Sequence, residues 1–245
     1  PVEPDGGIGD GAEPLPEGSE DTPEPTPTTG EQVIGTSADG NPITVHQFGS
    51  GATEVLFVGG IHGGYSWNTA LLGYELVDYF EADESRVPEN LRVTVIPVLN
   101  PDGIETTLGT TERFTAAEAL AATQAERVAG RFNANDVDLN RNFDCKWAPE
   151  SSWRGETVSA GTGPFSEPEA AALRDYFALT TPAAAVFWHS RANNVYASEC
   201  ENGVLPETLT LMNTYALAGD YGAVPVFDAY PITGDAEGWL ASLGI

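Results

Sequence analysis

Short apolar runs alternate along the chain with longer segments whose apolar residues recur at helical spacing. The clearest run covers residues 55–58, and Gly59, Gly60 and His62 follow it before a helical pattern that continues to about Phe80. Four apolar residues that end in glycines are typical of a strand buried on both faces, as in parallel sheets. We expect Asn68 or Thr69 to cap the helix that follows.

The same alternation predicts the rest of the fold. Asp39-Gly40 between two alternating segments indicates a hairpin turn, and Ser166 followed by Pro168 indicates the start of a helix. The pattern predicts a three-layer α/β/α sandwich around a mixed, mostly parallel, twisted sheet. Its further elements are a hairpin over 32–36 and 42–48, buried strands over 91–99 and 183–190, and helices over 112–130, 166–179, 206–218 and 239–243.

The first 30 residues differ in composition from the remainder. They hold eight acidic residues, no basic residue, seven prolines and six glycines. Such a segment cannot bury enough apolar surface to offset the entropy lost on ordering. We therefore predict a disordered acidic tether over residues 1–30 and one folded domain over residues 31–245. An arbitrary unstructured terminus explains the composition of residues 1–30 equally well.

Charge narrows the classes of partner. The formal net charge is −27, with 37 acidic residues against 10 basic ones. Nucleic acid and anionic membrane surfaces would be repelled, so we expect neither as a partner. No apolar run of about 18 residues is present, and we expect no membrane span. The charge fits a protein from a salty or extracellular setting.

Two histidines, His62 and His189, each follow a predicted buried strand. If the strands are parallel, both side chains lie at the edge of the sheet where α/β folds place their ligands. Imidazole is a good zinc ligand, so the pair predicts a metal site. On spacing alone, two unrelated polar residues explain the pattern about equally well.

Five motifs in order resemble the zinc carboxypeptidase family, the carboxypeptidase A/B-like metallocarboxypeptidases. The resemblance covers about residues 31–245 and implies the sandwich fold described above. The motifs are Gly59-Gly60-Ile61-His62, Asn100-Pro101-Asp102-Gly103, Val137-Asp138-Leu139-Asn140-Arg141-Asn142-Phe143, Phe165-Ser166-Glu167-Pro168-Glu169 and Trp188-His189-Ser190.

The resemblance implies a role for each matching residue. His62 and His189 would bind one Zn²⁺, while Asn140 and Arg141 would hold the terminal carboxylate of a peptide substrate with a free C-terminus. Arg131 would stabilise the oxyanion that forms at the scissile carbonyl; a surface arginine at a helix end is the alternative. The implied activity is removal of C-terminal residues from peptides by a secreted enzyme.

Two departures from the family pattern predict that this chain is impaired. The family has a glutamate ligand that normally follows the first histidine with two residues between, and at that spacing this chain has Tyr65; one residue inserted in the glycine turn would put Ser66 at the ligand position, and neither residue is a carboxylate. Serine is a poor zinc ligand, so we expect zinc binding to be weak or absent. The family's general-base glutamate would follow Ile245, so we expect a domain without its last strand and helix, an exposed sheet edge and no catalysis.

The remaining predictions concern the cysteines and the substrate pocket. Cys145 and Cys200 lie near the site segments, which favours one disulfide; two free thiols or soft metal ligands are the alternatives. By resemblance, Tyr230 would cap the substrate and Glu237, near Asp235, would form the pocket floor. These carboxylates would favour a basic C-terminal residue, unless both simply belong to the solvated acidic surface.

Two other functions are compatible with the same residues. A non-catalytic binding module would keep the pair Asn140 and Arg141 but lack the chemistry. An amidase or deacylase of the same architecture would act on small acylated amino acids. Zinc content, and the response to peptides with free or blocked C-termini, separate these possibilities.

Overall fold

The computed structural model describes residues 30–245. The predicted tether over residues 1–30 lies outside the described residues, except for Gly30. The strands are β1 (Gly30–Thr36), β2 (Pro42–Phe48), β3 (Thr53–Val58), β4 (Leu91–Ile96), β5 (Glu150–Trp153), β6 (Glu156–Ser159), β7 (Ala184–Phe187), β8 (Asn194–Tyr196), β9 (Glu199–Cys200), β10 (Gly203–Val204) and β11 (Gly222–Val224). The α-helices are α1 (Trp67–Ala82), α2 (Pro101–Leu108), α3 (Ala116–Ala121), α4 (Gln124–Ala129), α5 (Pro168–Thr180), α6 (Pro206–Gly219) and α7 (Ala236–Leu243).

A five-stranded mixed sheet forms the centre of the domain. Its strand order is β1-β2-β4-β3-β7. The first two pairings in this order, β1–β2 and β2–β4, are antiparallel. The other two, β4–β3 and β3–β7, are parallel. The predicted hairpin is therefore confirmed, and so is the predicted mixed α/β architecture. Because β3 and β7 are parallel neighbours, the residues that follow them lie at one edge of the sheet.

Helices cover both faces of this sheet. On one face, Val77 and Phe80 of α1 pack against Val93 and Val95 of β4. On the other face, α5 and α7 pack against alternate residues of the same strands. The core residues on that second face include Ile43, Val45, Leu56, Val58, Leu173, Phe177, Trp239 and Leu240. The period-2 alternation along each strand thus supplies two separate apolar surfaces, which is why three layers form.

Several predicted boundaries are wrong in detail. A short 3₁₀ turn over Gly63–Ser66 precedes α1, and neither Asn68 nor Thr69 caps it; Thr69 instead accepts a hydrogen bond from the Gly60 amide. The N-cap of α5 is Glu167, because the Ser166 hydroxyl is bonded to the Asn142 side chain. Hydrogen bonds to other parts of the chain therefore engage Thr69 and Ser166, and neither residue acts as the predicted helix cap.

Two other elements also differ from the prediction. Residues 112–130 form two short helices, α3 and α4, each with a threonine capping box rather than one continuous helix. Strand β7 is half-buried along its whole length, not buried, because among the described residues it pairs only with β3 and forms the edge of the sheet. Within residues 30–245, no helix combines the length and the apolar character needed to cross a bilayer.

A buried acidic cluster fixes the turn between β1 and β2. Glu169, at the start of α5, is fully buried; it accepts hydrogen bonds from the Ala38 amide at 3.0 Å and from Asn133 at 3.1 Å. Asn133 also donates to Glu167 at 2.8 Å, and Asp102 accepts the Ser37 hydroxyl. Burial, together with repulsion from Asp102, raises the pKa of Glu169 to about 7 despite these hydrogen bonds.

This raised pKa predicts a pH-dependent stability. The folded-state pKa of Glu169 lies above its ordinary value of 4.5, so its contribution is fully present below that value and is lost as the pH rises through 7. We expect Glu169→Gln to unfold with a free energy that depends less on pH. Between acidic and mildly basic pH, the free energy of unfolding of the unmodified protein should change by about 3 kcal/mol more than that of Glu169→Gln. Urea unfolding at the two pH values measures it, with exposed Glu156→Gln as the control; parallel pH profiles would contradict the prediction.

Candidate active site

The two predicted metal-site histidines lie side by side at the carboxyl edge of the sheet. His62 follows β3, and His189 follows β7, where the Trp188 amide still bonds to Val58. The two imidazole rings are 5.2 Å apart between centroids. The turn before His62 requires glycine, since a Cβ on Gly59 would lie 2.5 Å from the Thr69 carbonyl oxygen. Two parallel strands therefore bring the histidines together.

His62 is buried and faces an aspartate. Its Nδ1 lies 3.5 Å from Oδ1 of Asp138, and neither atom has a hydrogen-bond partner among the described residues. Burial, followed by repulsion from Arg131, His189 and Arg141, holds the pKa of His62 well below its ordinary value. His62 is therefore neutral at physiological pH, and neutral imidazole is the form that binds metal ions.

Asp138 also binds Arg131. Its Oδ2 accepts Nε of Arg131 at 2.9 Å and lies 2.8 Å from Nη2, and both side chains are almost fully buried. Asp138 thus links the first histidine to the predicted oxyanion arginine. The role of Asp138 was not predicted from the sequence, although it belongs to the motif that contains Asn140 and Arg141. The available signal in the sequence was an aspartate that lies between two apolar residues and close to an arginine, a pattern that indicates a buried, paired carboxylate.

Asn140 and Arg141 lie on a 3₁₀ turn over Leu139–Arg141. Arg141 is only 2% exposed; its Nη1 donates to the Asn140 carbonyl at 2.5 Å, and its Nη2 to the Ser152 carbonyl at 3.3 Å. Its Nε is buried without a partner, and within residues 30–245 no carboxylate forms an ion pair with it. Arg141 is therefore a buried cation held by neutral carbonyl groups.

Glu237 lies beside the second histidine. Its Oε1 contacts Nε2 of His189. Burial raises the pKa of Glu237, but attraction to His189 and hydrogen bonds together lower it by more, so this pKa lies below its ordinary value. Asp235 caps α7 through the Gly238 amide at 2.7 Å, and burial together with repulsion from Glu237 raises its pKa to about 6. The structure brings Glu237 to the histidine pair, where its carboxylate is engaged rather than open.

Tyr230 lies on the loop that leads to α7. It is 37% exposed, and its ring packs edge-on against Phe227 with centroids 4.9 Å apart. Tyr230 is near enough to Arg131 to influence its pKa. Burial is the main effect and lowers that pKa, whereas Asp138 and, to a smaller extent, Tyr230 raise it. A partly exposed tyrosine near Arg131 is compatible with a substrate-capping role.

The residues around the two histidines do not make a complete zinc site. Ser66, which we predicted from the resemblance to stand at the family's glutamate position, is 1% exposed, and its hydroxyl has no hydrogen-bond partner in the described chain. Over residues 30–245, no three His, Cys, Asp or Glu side chains converge on a point where a metal ion could sit. A zinc site needs three protein ligands, usually imidazole, carboxylate or thiolate. The donors present among residues 30–245 therefore do not fit a catalytic zinc ion.

A disulfide borders the site. Cys145 and Cys200 are bonded, with their Cα atoms 5.9 Å apart. The Cys145 carbonyl also accepts the Gly234 amide at 2.7 Å, and the Phe143 amide donates to Gly234 at 2.9 Å. The predicted disulfide is confirmed, so neither cysteine is a metal ligand. Together these bonds connect the arginine turn to the loop before α7.

The α/β sandwich, the two histidines side by side at one edge of its sheet and the buried arginines near them are features expected of a metallocarboxypeptidase-type domain. The family model described as zinc carboxypeptidase matches residues 24–216. The chain therefore belongs to the zinc carboxypeptidase family.

Individual relatives are distant. A γ-D-glutamyl-L-diamino acid endopeptidase of Lysinibacillus sphaericus is 23% identical over 80% of this chain and 54% of its own length. The human carboxypeptidase N catalytic chain is 31% identical over 45% of this chain and 25% of its own length. The crystal structure of carboxypeptidase A from Helicoverpa armigera superposes with a TM-score of 0.64 at 20% identity, over 86% of this chain and 55% of that chain. The chain spans about half, or less, of the length of these proteins.

Proposed function

We propose that this domain is of the metallocarboxypeptidase hydrolase type, recognises peptides through their free C-terminal carboxylate and, with the residues present here, binds them without hydrolysing the last peptide bond. Arg141 carries the proposal, because it is a buried guanidinium with an unpartnered Nε and no ion pair to a carboxylate of the described residues. Burying an unpaired charge is unfavourable unless a ligand supplies the opposite charge. A substrate carboxylate can do so and can accept the free Nε–H.

Arg131 and Asn140 extend this role. Nη1 of Arg131 makes no hydrogen bond within the described part of the chain, whereas its Nε and Nη2 are held by Asp138. We propose that Nη1 donates to the scissile carbonyl and stabilises its oxyanion. Asn140 is tied through its Oδ1 to the Ala236 amide at 2.9 Å, which leaves its amide NH₂ for Glu237 or for the substrate carboxylate.

The pair Asp235 and Glu237 supports a preference for a basic terminal residue. Both carboxylates lie on the short segment that begins α7, and Glu237 contacts His189 directly. A substrate ammonium or guanidinium group would relieve the repulsion that raises the pKa of Asp235. Tyr230 would cover such a substrate from the solvent side.

The amidase alternative has one observation in its favour. One of the relatives named above, which matches 80% of this chain, is a γ-D-glutamyl-L-diamino acid endopeptidase. A diamino acid presents both a free carboxylate and a side-chain amine, so it would suit Arg141 and the two acids equally well. We therefore carry cleavage at a diamino acid as the second candidate function.

We further propose that the protein acts outside the cell. The disulfide between Cys145 and Cys200 supports this, since such bonds persist in oxidising compartments. The net charge of −27 is compatible with an extracellular environment. The incomplete donor set at His62 and His189 supports binding without turnover as the behaviour of this chain.

The proposal is tested by peptide binding. We expect calorimetry to show that Gly-Phe-Arg with a free carboxylate binds at least about tenfold more tightly than its C-terminal amide, because a buried charge-assisted pair is lost with the amide. Arg141→Gln should abolish this difference. Glu237→Gln should reduce the preference for Gly-Phe-Arg over Gly-Phe-Phe.

The control variant is Arg174→Gln, because Arg174 is exposed, forms an ion pair with its neighbour Asp175 and otherwise lies over the Phe165 ring, away from the two histidines. It should leave both preferences unchanged. Equal affinity for the acid and the amide in the unmodified protein would refute carboxylate recognition. Turnover of either peptide by this chain would refute the expectation that it binds without cleaving.

A further inference from the structure

The hairpin formed by β5 and β6 contacts the site at several separate points. Its Ser152 carbonyl accepts Nη2 of Arg141 at 3.3 Å, and the hydroxyl of Ser151 is 3.0 Å from that of Thr233 on the loop before α7. At its other end, the Ser159 carbonyl accepts the Asp138 amide at 3.0 Å. The hairpin therefore touches three segments that carry site residues.

Trp153 places the hairpin against Arg131. The Arg131 guanidinium carbon lies 4.4 Å from the centroid of the Trp153 ring and 5.5 Å from that of Tyr65. The two aromatic rings meet edge to face, with centroids 4.9 Å apart, and Phe132 packs edge-on against Trp153 at 6.2 Å. Arg131 is thus bound to Asp138 through Nε and Nη2, and its guanidinium carbon lies over the Trp153 ring.

This arrangement has a physical purpose for a buried cation. Burial lowers the pKa of Arg131, and one carboxylate shared with His62 offsets only part of the lost hydration. An aromatic face attracts a guanidinium and needs no further charge in the site. The aromatic face also restricts rotation of the guanidinium group, because Asp138 contacts only one edge of that group.

We propose that the β5–β6 hairpin is a positioning element for both arginines, with Trp153 as the positioning residue that fixes the guanidinium plane of Arg131. Ser152 does the same for Arg141 through its backbone carbonyl. The inference rests on the proposed function, because it assigns Arg131 and Arg141 to the substrate. It adds the hairpin and Trp153 as the structure that sets the direction in which Nη1 of Arg131 donates.

Side-chain NMR tests the positioning role without substrate. In the unmodified protein, we expect the Nε–H of Arg131 to show a ring-current shift and slow exchange with water. Trp153→Leu should remove the shift and speed the exchange at least about tenfold, since the stacking partner is lost. Trp153→Phe should retain most of both, because it keeps an aromatic face.

Trp147→Leu is the matched control. Trp147 is half-buried six residues before Trp153, and its indole donates to the Ala160 carbonyl at 3.1 Å rather than stacking on an arginine. It should leave the Arg131 signal unchanged. If Trp153→Leu does not fold, Trp153→Met, which also removes the aromatic face but leaves a longer side chain, supplies the same comparison. An unchanged Arg131 signal in a folded Trp153→Leu or Trp153→Met variant would overturn the proposal.

Peptide binding separates this inference from the proposed function. We expect Trp153→Leu to weaken binding of Gly-Phe-Arg about tenfold and Trp153→Phe to weaken it less than threefold. Equal binding of acid and amide peptides by the unmodified protein would remove the proposed function, yet the NMR comparison would still decide the positioning role. Unchanged peptide affinity in Trp153→Leu, with free-carboxylate preference intact in the unmodified protein, would show that the hairpin does not position the substrate-binding arginines.

Discussion

Replacing Ser66 by glutamate is expected to raise the zinc affinity of this chain by at least about 100-fold. The loss of a supporting residue outside the ligand shell already costs about 10–100-fold in affinity, and here a ligand itself is absent. Ser66 is buried on the turn that carries His62, and its hydroxyl has no partner in the described residues. A carboxylate there adds both a bond and a negative charge. Titration of apoprotein against a competing zinc chelator measures the change.

Tyr65→Glu is the matched comparison for that titration. Tyr65 lies one residue earlier, and its ring packs against Trp153 rather than occupying the ligand position. We expect a smaller gain in zinc affinity from this variant, together with a loss of aromatic packing. Tight, stoichiometric zinc in the unmodified protein would show that two imidazoles suffice or that another donor completes the site.

Replacing Asp138 by alanine is expected to destabilise the protein by about 3–5 kcal/mol, the range found when one partner of a buried ion pair is removed. Asp138 is fully buried and is the carboxylate that pairs with Arg131, so the substitution leaves a buried guanidinium without its counter-charge. The aromatic rings over Arg131 offset only a small part of that loss. Urea unfolding at neutral pH measures the change in free energy.

Two further variants define the cause. Asp144→Ala removes an exposed carboxylate from the same loop and should change stability by less than about 0.5 kcal/mol. The double variant Arg131→Met with Asp138→Leu should recover much of the lost stability, because it removes both charges together. A loss for Asp138→Ala no larger than that for Asp144→Ala would mean that Arg131 finds water or another partner.

Sequence patterns predict well those parts of this protein in which the residue types themselves determine the local backbone conformation. The glycine turn before His62, the hairpin around Gly40 and the C-terminal cap at Gly244 all depend on a few adjacent residues. The position of His189 beside His62 was also predictable, because both follow strands that parallel pairing brings together. Local periodicity was sufficient for these features.

Features decided by distant contacts were not predictable from the same patterns. Ser166 has the composition of a helix cap, yet Asn142, which is remote in sequence, takes its hydroxyl. No sequence pattern used above singles out Trp153, and only the fold places it over Arg131. The half-buried state of β7 depends on its position at the edge of the sheet, which its apolar sequence does not reveal.

The disulfide has a topological consequence for the site. The bond between Cys145 and Cys200 spans 55 residues of sequence, and this covalent ring contains Trp153 and His189. The exposed tip of the β5–β6 hairpin, at Arg154 and Gly155, lies within the same ring. A protease that cuts the chain at this tip would therefore release no fragment, because the half that carries His62 stays bonded to the half that carries His189.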